Sequence, residues 1–175
     1  MTPNPQRDPV GFAPAEFTET VGRFATGVTV VTVHDELDDI GSTVSAFSSV
    51  SAEPPMVMVC VINTSYLCEV MDAQGCFAVN VLGSQHRAIA GRFAAEGRPS
   101  ARLLVAGEPH HRGEHTGALV LDDAIAALEC SVVRRVPAGD HIAYLAEVTS
   151  LPPVGGLPAE MSPLIRYAGR YRTLG

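Results

Sequence analysis

Alternation between apolar and polar positions is the strongest pattern in this chain. Residues 28–33 alternate valine with threonine for much of their length, and residues 41–51 (GSTVSAFSSVS) place small hydroxyl residues between apolar ones. Both patterns predict extended strands. Residues 56–62 are apolar throughout, which predicts a strand buried on both faces. Further strands are predicted at 76–82, 118–121, 124–136, 141–151 and 164–167.

Three short helices are predicted between these strands. Phe17, Val21 and Phe24 have helical spacing within residues 14–24. Residues 63–65 resemble an N-cap for a helix through Met71, and Ser84 is expected to cap a helix over 85–95. Residues 96–117 and 152–163 are rich in glycine or proline and are predicted to be loops. Because strands outnumber helices without alternating with them, the fold class is mainly β, a β-barrel with peripheral helices.

Length and composition favour one globular domain. The 175 residues are 46% hydrophobic and 18% charged. Residues 1–10 are expected to form a flexible arm, and residues 11–175 a single domain. A net charge of -7 disfavours nucleic-acid binding. All basic residues are arginine, which excludes a Schiff-base or P-loop lysine.

The location is predicted from the termini, the apolar runs and the cysteines. The N-terminus lacks the layout of a signal peptide, and the longest apolar run is too short to span a bilayer. The four cysteines form no CxxC pair, so we expect reduced thiols and a cytoplasmic protein that does not bind a membrane.

Two neighbouring segments carry candidate binding chemistry. The hydroxyls of residues 41–51 could line a pocket for a flat polar ligand, although an edge strand with a polar face has the same pattern. Asn63, Thr64 and Ser65 follow a strand and open a helix, where free backbone N–H groups and the helix dipole favour a phosphate. A plain N-cap is the alternative. Arg92 is either a solvated side chain or a phosphate partner.

Other catalytic patterns are weaker. His141 begins a strand after a glycine turn and could contact an aromatic cofactor or carry a proton, although a structural role is as compatible with the pattern. His110, His111 and His115 lie among proline and glycine, without the ligands that would complete a zinc site, so no metal is predicted. No GxSxG or GxGxxG motif is present.

The order of several longer motifs resembles the short-chain flavin reductases, the reductase components of two-component flavin-dependent monooxygenases. The motifs are RFATGVTVVTV, GSTVSAFSSVSAEPPMVMVCV, NTS, GCFAVNVL, GRFA, LEC, GDH and GRYRTLG. They cover roughly residues 17–175. The resemblance implies an FMN-binding split β-barrel of Greek-key type. It also implies a homodimer with flavin sites near the subunit interface.

The resemblance also assigns residues to the site. Those expected to line the flavin ring and ribityl chain are Thr43, Val44, Ser45, Ala46, Ser48 and Ser49. Those expected near the ribityl and phosphate groups are Asn63, Ser65, Leu67, Arg92 and Phe93. His141 is expected to approach the nicotinamide, and Tyr167, Arg170 or Tyr171 to close that side.

The implied activity is hydride transfer from NADH, with NADPH less favoured, to FAD or FMN. Reduced flavin would then pass to a partner monooxygenase. Such chemistry needs no protein nucleophile or metal, because the flavin carries it. A non-enzymatic carrier or sensor that binds flavin or heme in a split barrel is the alternative, and a purely structural barrel is a third possibility.

Overall fold

A computed structural model describes residues 11–36, 38–155 and 162–174. The arm expected at residues 1–10 lies outside these ranges. The α-helices are α1 (Pro14–Val21), α2 (Tyr66–Gln74), α3 (Arg87–Ala94) and α4 (Ala101–Val105). A 3-10 turn, Ser84–His86, precedes α3. The strands are β1 (Thr26–Gly27), β2 (Thr29–His34), β3 (Asp39–Val44), β4 (Phe47–Ala52), β5 (Pro55–Ile62), β6 (Cys76–Val81), β7 (His110–Arg112), β8 (Leu119–Leu121), β9 (Ala126–Ala138), β10 (His141–Ser150), β11 (Ile165–Tyr167) and β12 (Arg170–Arg172).

The main sheet is a barrel, and its connectivity explains why. Its seven strands are antiparallel neighbours in the order β3-β2-β6-β9-β10-β5-β4. In a flat sheet the outer two strands would lie roughly 29 Å apart, six spacings of about 4.8 Å. Ser45 and Ala46 alone connect β3 to β4, and three Cα steps reach only about 11 Å. The sheet must therefore curl until its edges meet.

Two apolar clusters fill the fold. The barrel interior contains Val31, Val59, Phe77 and Tyr144, and α2 covers one end with Leu67. A second cluster lies between the barrel wall, α3, α4 and β8. A small sheet in the order β1-β11-β12 packs beside it, so the C-terminal segment returns to the start of the fold. The predicted fold class, mainly β with peripheral helices, is confirmed.

Buried carboxylates hold two connections in place. Asp39, 1% exposed, accepts hydrogen bonds from both terminal nitrogens of Arg112 at 2.9 and 2.8 Å. Glu129, also 1% exposed, accepts from the backbone nitrogens of His115 and Thr116 at 3.0 and 2.8 Å. A side chain at Gly113 would overlap the Glu129 carboxylate, so a larger residue here would have to displace Glu129.

Some sequence predictions fail in detail. Residues 96–117 were expected to be loop, but they contain α4 and β7. The α4 helix forms because Ser100 caps it, accepting from Arg102 N, and because Leu104 and Val105 pack into the second core. β7 forms because it pairs with β8. Residues 41–51 form two strands rather than one, since the chain crosses there from one barrel edge to the other.

β5 also differs from its sequence prediction. Val57, Val59 and Val61 are buried, but the alternate residues Met58 and Cys60 are only partly covered. The expectation of burial on both faces is therefore wrong for a single chain. Cys60 and the other three cysteines are free thiols.

Candidate functional site

A cavity at the end of β3 contains part of the predicted hydroxyl wall. It has a volume of about 180 Å³ and is lined by Val28, Thr43, Ser45, Ala94, Arg166 and Tyr171. The Thr43 hydroxyl donates to the carbonyl of Ala90 at 2.7 Å, so its oxygen remains an acceptor. Ser45 is exposed at the rim. We name this space the β3 cavity.

A second cavity lies farther back along β3, at the N-terminus of α2. It has a volume of about 270 Å³ and is lined by Ile40, Gly41, Ser65, Tyr66, Leu67, Gly97, Arg98, Pro99 and Ser100. We name it the α2 cavity. Gly41 belongs to it and Thr43 to the β3 cavity, two residues away, so the nearest lining residues of the two cavities are roughly 7 Å apart along the strand.

The α2 cavity has the chemistry of an anion site. Ser65 caps the helix: its Oγ accepts from Cys68 N at 3.3 Å and donates to Ile62 O at 2.8 Å. First-turn amides of a helix have no intrahelical acceptor and point toward its N-terminus, where the dipole is positive. The amides of Tyr66 and Leu67 therefore suit a phosphate better than the Ser65 hydroxyl, which is already engaged.

Arg98 adds a positive charge to the same cavity. Its Nε donates to Gly41 O at 2.7 Å, which fixes the side chain against β3. No carboxylate among the described residues pairs with it. Burial lowers the pKa of the Arg98 guanidinium from its ordinary value, but arginine stays charged at neutral pH. A half-buried cation beside free amides is a strong partner for an anion.

His141 lies near this end of the fold. Its Nδ1 is 2.7 Å from Asp140 Oδ1, and the backbone N of Asn63 donates to Asp140 O at 3.0 Å. The hydrogen bond from His141 holds the pKa of Asp140 below its ordinary value. With Nδ1 engaged, Nε2 is the ring nitrogen left for a ligand. The predicted nicotinamide role of His141 remains a prediction.

Several predicted site residues lie away from both cavities. Arg92 donates to Leu104 O at 2.8 Å and to Glu108 Oε1 at 2.5 Å, so a carboxylate already neutralises its charge. Phe93 is fully buried beneath β3, where a Cβ on Gly41 would come within 2.6 Å of its ring. Val44 is 6% exposed and belongs to the barrel core. Their flavin contacts stay predictions.

The remaining predicted site residues of β4 and of the C-terminal segment lie in different places. Ser48 is exposed, whereas Ser49 lines a different, apolar cavity of about 420 Å³ with Phe47, Leu128 and Val148. That cavity has no charged residue in its described lining, so it offers nothing to a phosphate. Ala46, Tyr167 and Arg170 are exposed and line neither named cavity, whereas Tyr171 forms a wall of the β3 cavity.

Sequence reasoning missed two residues, Arg98 and Arg166. Arg98 follows a glycine in a stretch taken as loop, and only its hydrogen bond to Gly41 reveals its position. The Arg166 guanidinium lies 5.2 Å from the centre of the Tyr171 ring, a cation–π contact within the C-terminal hairpin. The pairing of β11 with β12 brings these side chains together, and a motif alone does not predict it.

Comparison with known proteins identifies the family of this chain. The family described as flavin reductase like domain matches residues 21–175. The chain belongs to this flavin reductase family. The chain is similar to the "Actinorhodin polyketide dimerase" of Streptomyces coelicolor, with 44% identity over 134 residues, which are 76% of this chain and 73% of that protein.

Two further similarities concern named flavin reductases. The "NADH-dependent FMN reductase AsuE2" of Streptomyces nodosus subsp. asukaensis is 36% identical over 162 residues, 91% of this chain and 84% of that protein. The structure of BorF, "the Flavin Reductase Component of a Bacterial Two-Component Tryptophan Halogenase", superposes with a TM-score of 0.84 at 29% identity, covering 93% of this chain and 98% of that one.

In the described ranges, no group of three or more His, Cys, Asp or Glu residues could hold a metal. Across the same residues, no helix is long and apolar enough to cross a membrane.

Proposed function

We propose that this flavin reductase transfers a hydride from NADH, or less readily NADPH, to FMN or FAD, and releases the reduced flavin to a separate monooxygenase. The observation that carries the proposal is the pair of cavities along β3. A wall with Thr43 and Ser45 suits the polar edge of a flat ring, and the α2 cavity suits a phosphate. Similarity to AsuE2 and BorF supports the reductase activity and the two-component arrangement.

In this proposal the protein binds and orients the flavin and the nicotinamide. Flavin accepts the hydride and supplies the redox chemistry when bound. The residues of the β3 cavity would orient the ring, and the first turn of α2 with Arg98 would hold the phosphate. His141, oriented by Asp140, would contact the nicotinamide. Productive transfer requires the reacting atoms to be held about 3–3.5 Å apart. Hydrogen-bond donors near the ring also stabilise the charge that reduction places there.

We also propose that the active form is a homodimer. In antiparallel pairs, residues directly opposite one another share a sheet face. The register sets Val136↔Ala143↔Cys60 and Arg134↔Leu145↔Met58 therefore place five apolar residues and one arginine on one outer face across β9, β10 and β5. Exposed apolar faces of this kind mark protein interfaces. A second copy on this face would cover the half of β5 that one chain leaves partly exposed.

Two further parts of the proposal concern domain and location. Residues 11–175 would act as one domain, which is supported by the pairing of C-terminal β11 with N-terminal β1. A cytoplasmic location is supported by the four free thiols, which are typical of a reducing compartment.

The test is turnover. Purified protein is mixed with NADH and with FMN, FAD or riboflavin, and the loss of NADH absorbance is followed. Oxidation well above the background without protein is expected for at least one flavin. A yellow protein that keeps its flavin through gel filtration and oxidises neither NADH nor NADPH would instead establish the carrier or sensor.

A further inference from the structure

Tyr171 also lines a further cavity. It has a volume of about 390 Å³ and is lined by Ser84, Arg87, Leu164, Tyr171, Arg172 and Thr173. We name it the Arg87 cavity. Its described lining contains two arginines and no acidic residue. Tyr171 also lines the β3 cavity, so the two cavities are neighbours that share this residue.

The described arginines fall into two groups. Five of them pair with a carboxylate: Arg23, Arg92, Arg102, Arg112 and Arg135. Among the described residues, no carboxylate lies within ion-pair distance of Arg87 or Arg172. On a chain with a net charge of -7, two cations converging on one concave space without an acidic neighbour favour an anionic ligand.

The position of the cavity selects the ligand. The proposed flavin phosphate site is the α2 cavity, which shares no lining residue with the β3 cavity or the Arg87 cavity. The Arg87 cavity is therefore not needed for the ribityl-linked phosphate that FMN and FAD share. The nicotinamide dinucleotide, the other ligand of the proposed reaction, carries a diphosphate of its own. A nicotinamide near the β3 cavity would bring that diphosphate within reach of the space beyond Tyr171.

We propose that Arg87 and Arg172 bind the diphosphate of the reduced nicotinamide dinucleotide. Guanidinium groups bind phosphate oxygens with paired N–H donors, and Ser84 and Thr173 add hydroxyls to the same wall. This inference rests on the proposed function, since it takes NADH as the hydride donor. It assigns to the nicotinamide dinucleotide a second group of residues, distinct from His141.

The test compares NADH with reduced nicotinamide mononucleotide, which has the same reactive ring but no diphosphate. Equilibrium binding of both is measured for the parent, Arg87→Ala, Arg172→Ala and the double variant. Each single variant should weaken NADH about tenfold to a hundredfold, the range for a lost charge-assisted hydrogen bond. Binding of the mononucleotide and of riboflavin should stay unchanged. Inorganic diphosphate should compete with NADH in the parent only.

Arg23→Ala is the matched control, because Arg23 pairs with Glu19 on α1 and lines none of the three cavities. It removes the same charge and should leave NADH binding unchanged. Equal losses for NADH and the mononucleotide, or unchanged NADH binding in the double variant, would overturn the proposal. Because binding is measured without turnover, the two proposals can fail separately. A parent that binds NADH but reduces no flavin refutes the proposed function, and the binding series of the variants still tests the diphosphate assignment.

Discussion

Replacing Arg98 with alanine should weaken the binding of FMN far more than that of riboflavin. The variant loses a charge-assisted contact with the phosphate, about 1.5–3 kcal/mol. At about 1.4 kcal/mol per tenfold change, this corresponds to a roughly 10- to 150-fold increase in Kd. It also loses the 2.7 Å bond to Gly41 O, about 1 kcal/mol, which affects both flavins alike. The ratio of the two Kd values, from titrations of flavin fluorescence, therefore isolates the phosphate contribution.

Arg92→Ala is the comparison that makes this experiment decisive. The sequence suggests Arg92 as the phosphate partner, but in the structure its guanidinium binds Leu104 O and Glu108. We expect that variant to lower Tm slightly and to change the affinities for FMN and riboflavin in the same proportion. Equal losses of both flavins in Arg98→Ala would refute the reasoning. A selective loss of FMN in Arg92→Ala would return the phosphate to the position that the sequence suggests.

Three other predictions address the scaffold and the nicotinamide side. Asp39→Asn should lower the free energy of unfolding by about 3 kcal/mol in denaturant titrations, because it leaves the guanidinium of Arg112 without its buried carboxylate. Burial opposes ionisation of Asp39, but the hydrogen bonds from Arg112 outweigh it and the pKa of Asp39 is lowered. The stabilisation from Asp39 is therefore complete above the unfolded pKa near 3.8 and is lost as the pH falls below that value. The Asp39→Asn variant should not show this loss. An equally steep acid transition in both proteins would contradict this. Gly113→Ala should cost about 1–3 kcal/mol through overlap with Glu129, and an unchanged Tm would argue against that packing. His141→Ala should raise KM for NADH more than it weakens flavin binding; equal binding of NADH by variant and parent would remove His141 from the nicotinamide side.

The sequence predicts the barrel strands well because their pattern is local. The valine and threonine alternation at 28–33 corresponds to β2, and the cap at Ser65 with Gly75 at the other end bounds α2. α4 and β7 depend on partners distant in the chain. The glycine and proline of residues 96–117 therefore predict a loop where the structure has a helix and a strand. The apolar run in β5 predicts burial on both faces, but within one chain only one face of β5 is buried.

The sequence predicts the backbone segments that border the two cavities, but not the hydrogen-bond partner of each side chain. The strand at Thr43 and Ser45 and the helix start at Ser65 both border cavities. Whether Arg92 or Arg98 is free depends on Glu108, which lies 16 residues from Arg92 and carries no recognisable signal. The C-terminal arginines likewise acquire their neighbours only through the pairing of β11 with β12.

The placement of the free cysteines has a consequence for the durability of a flavin reductase. Reduced flavin that meets oxygen forms hydrogen peroxide, which attacks thiolates far faster than thiols. Burial raises the pKa of Cys60 and Cys76, and burial together with Glu129 raises the pKa of Cys130 to about 12. These three sulfurs are therefore protonated at neutral pH. An enzyme exposed to the by-product of its own reaction keeps them in the form that peroxide oxidises least readily.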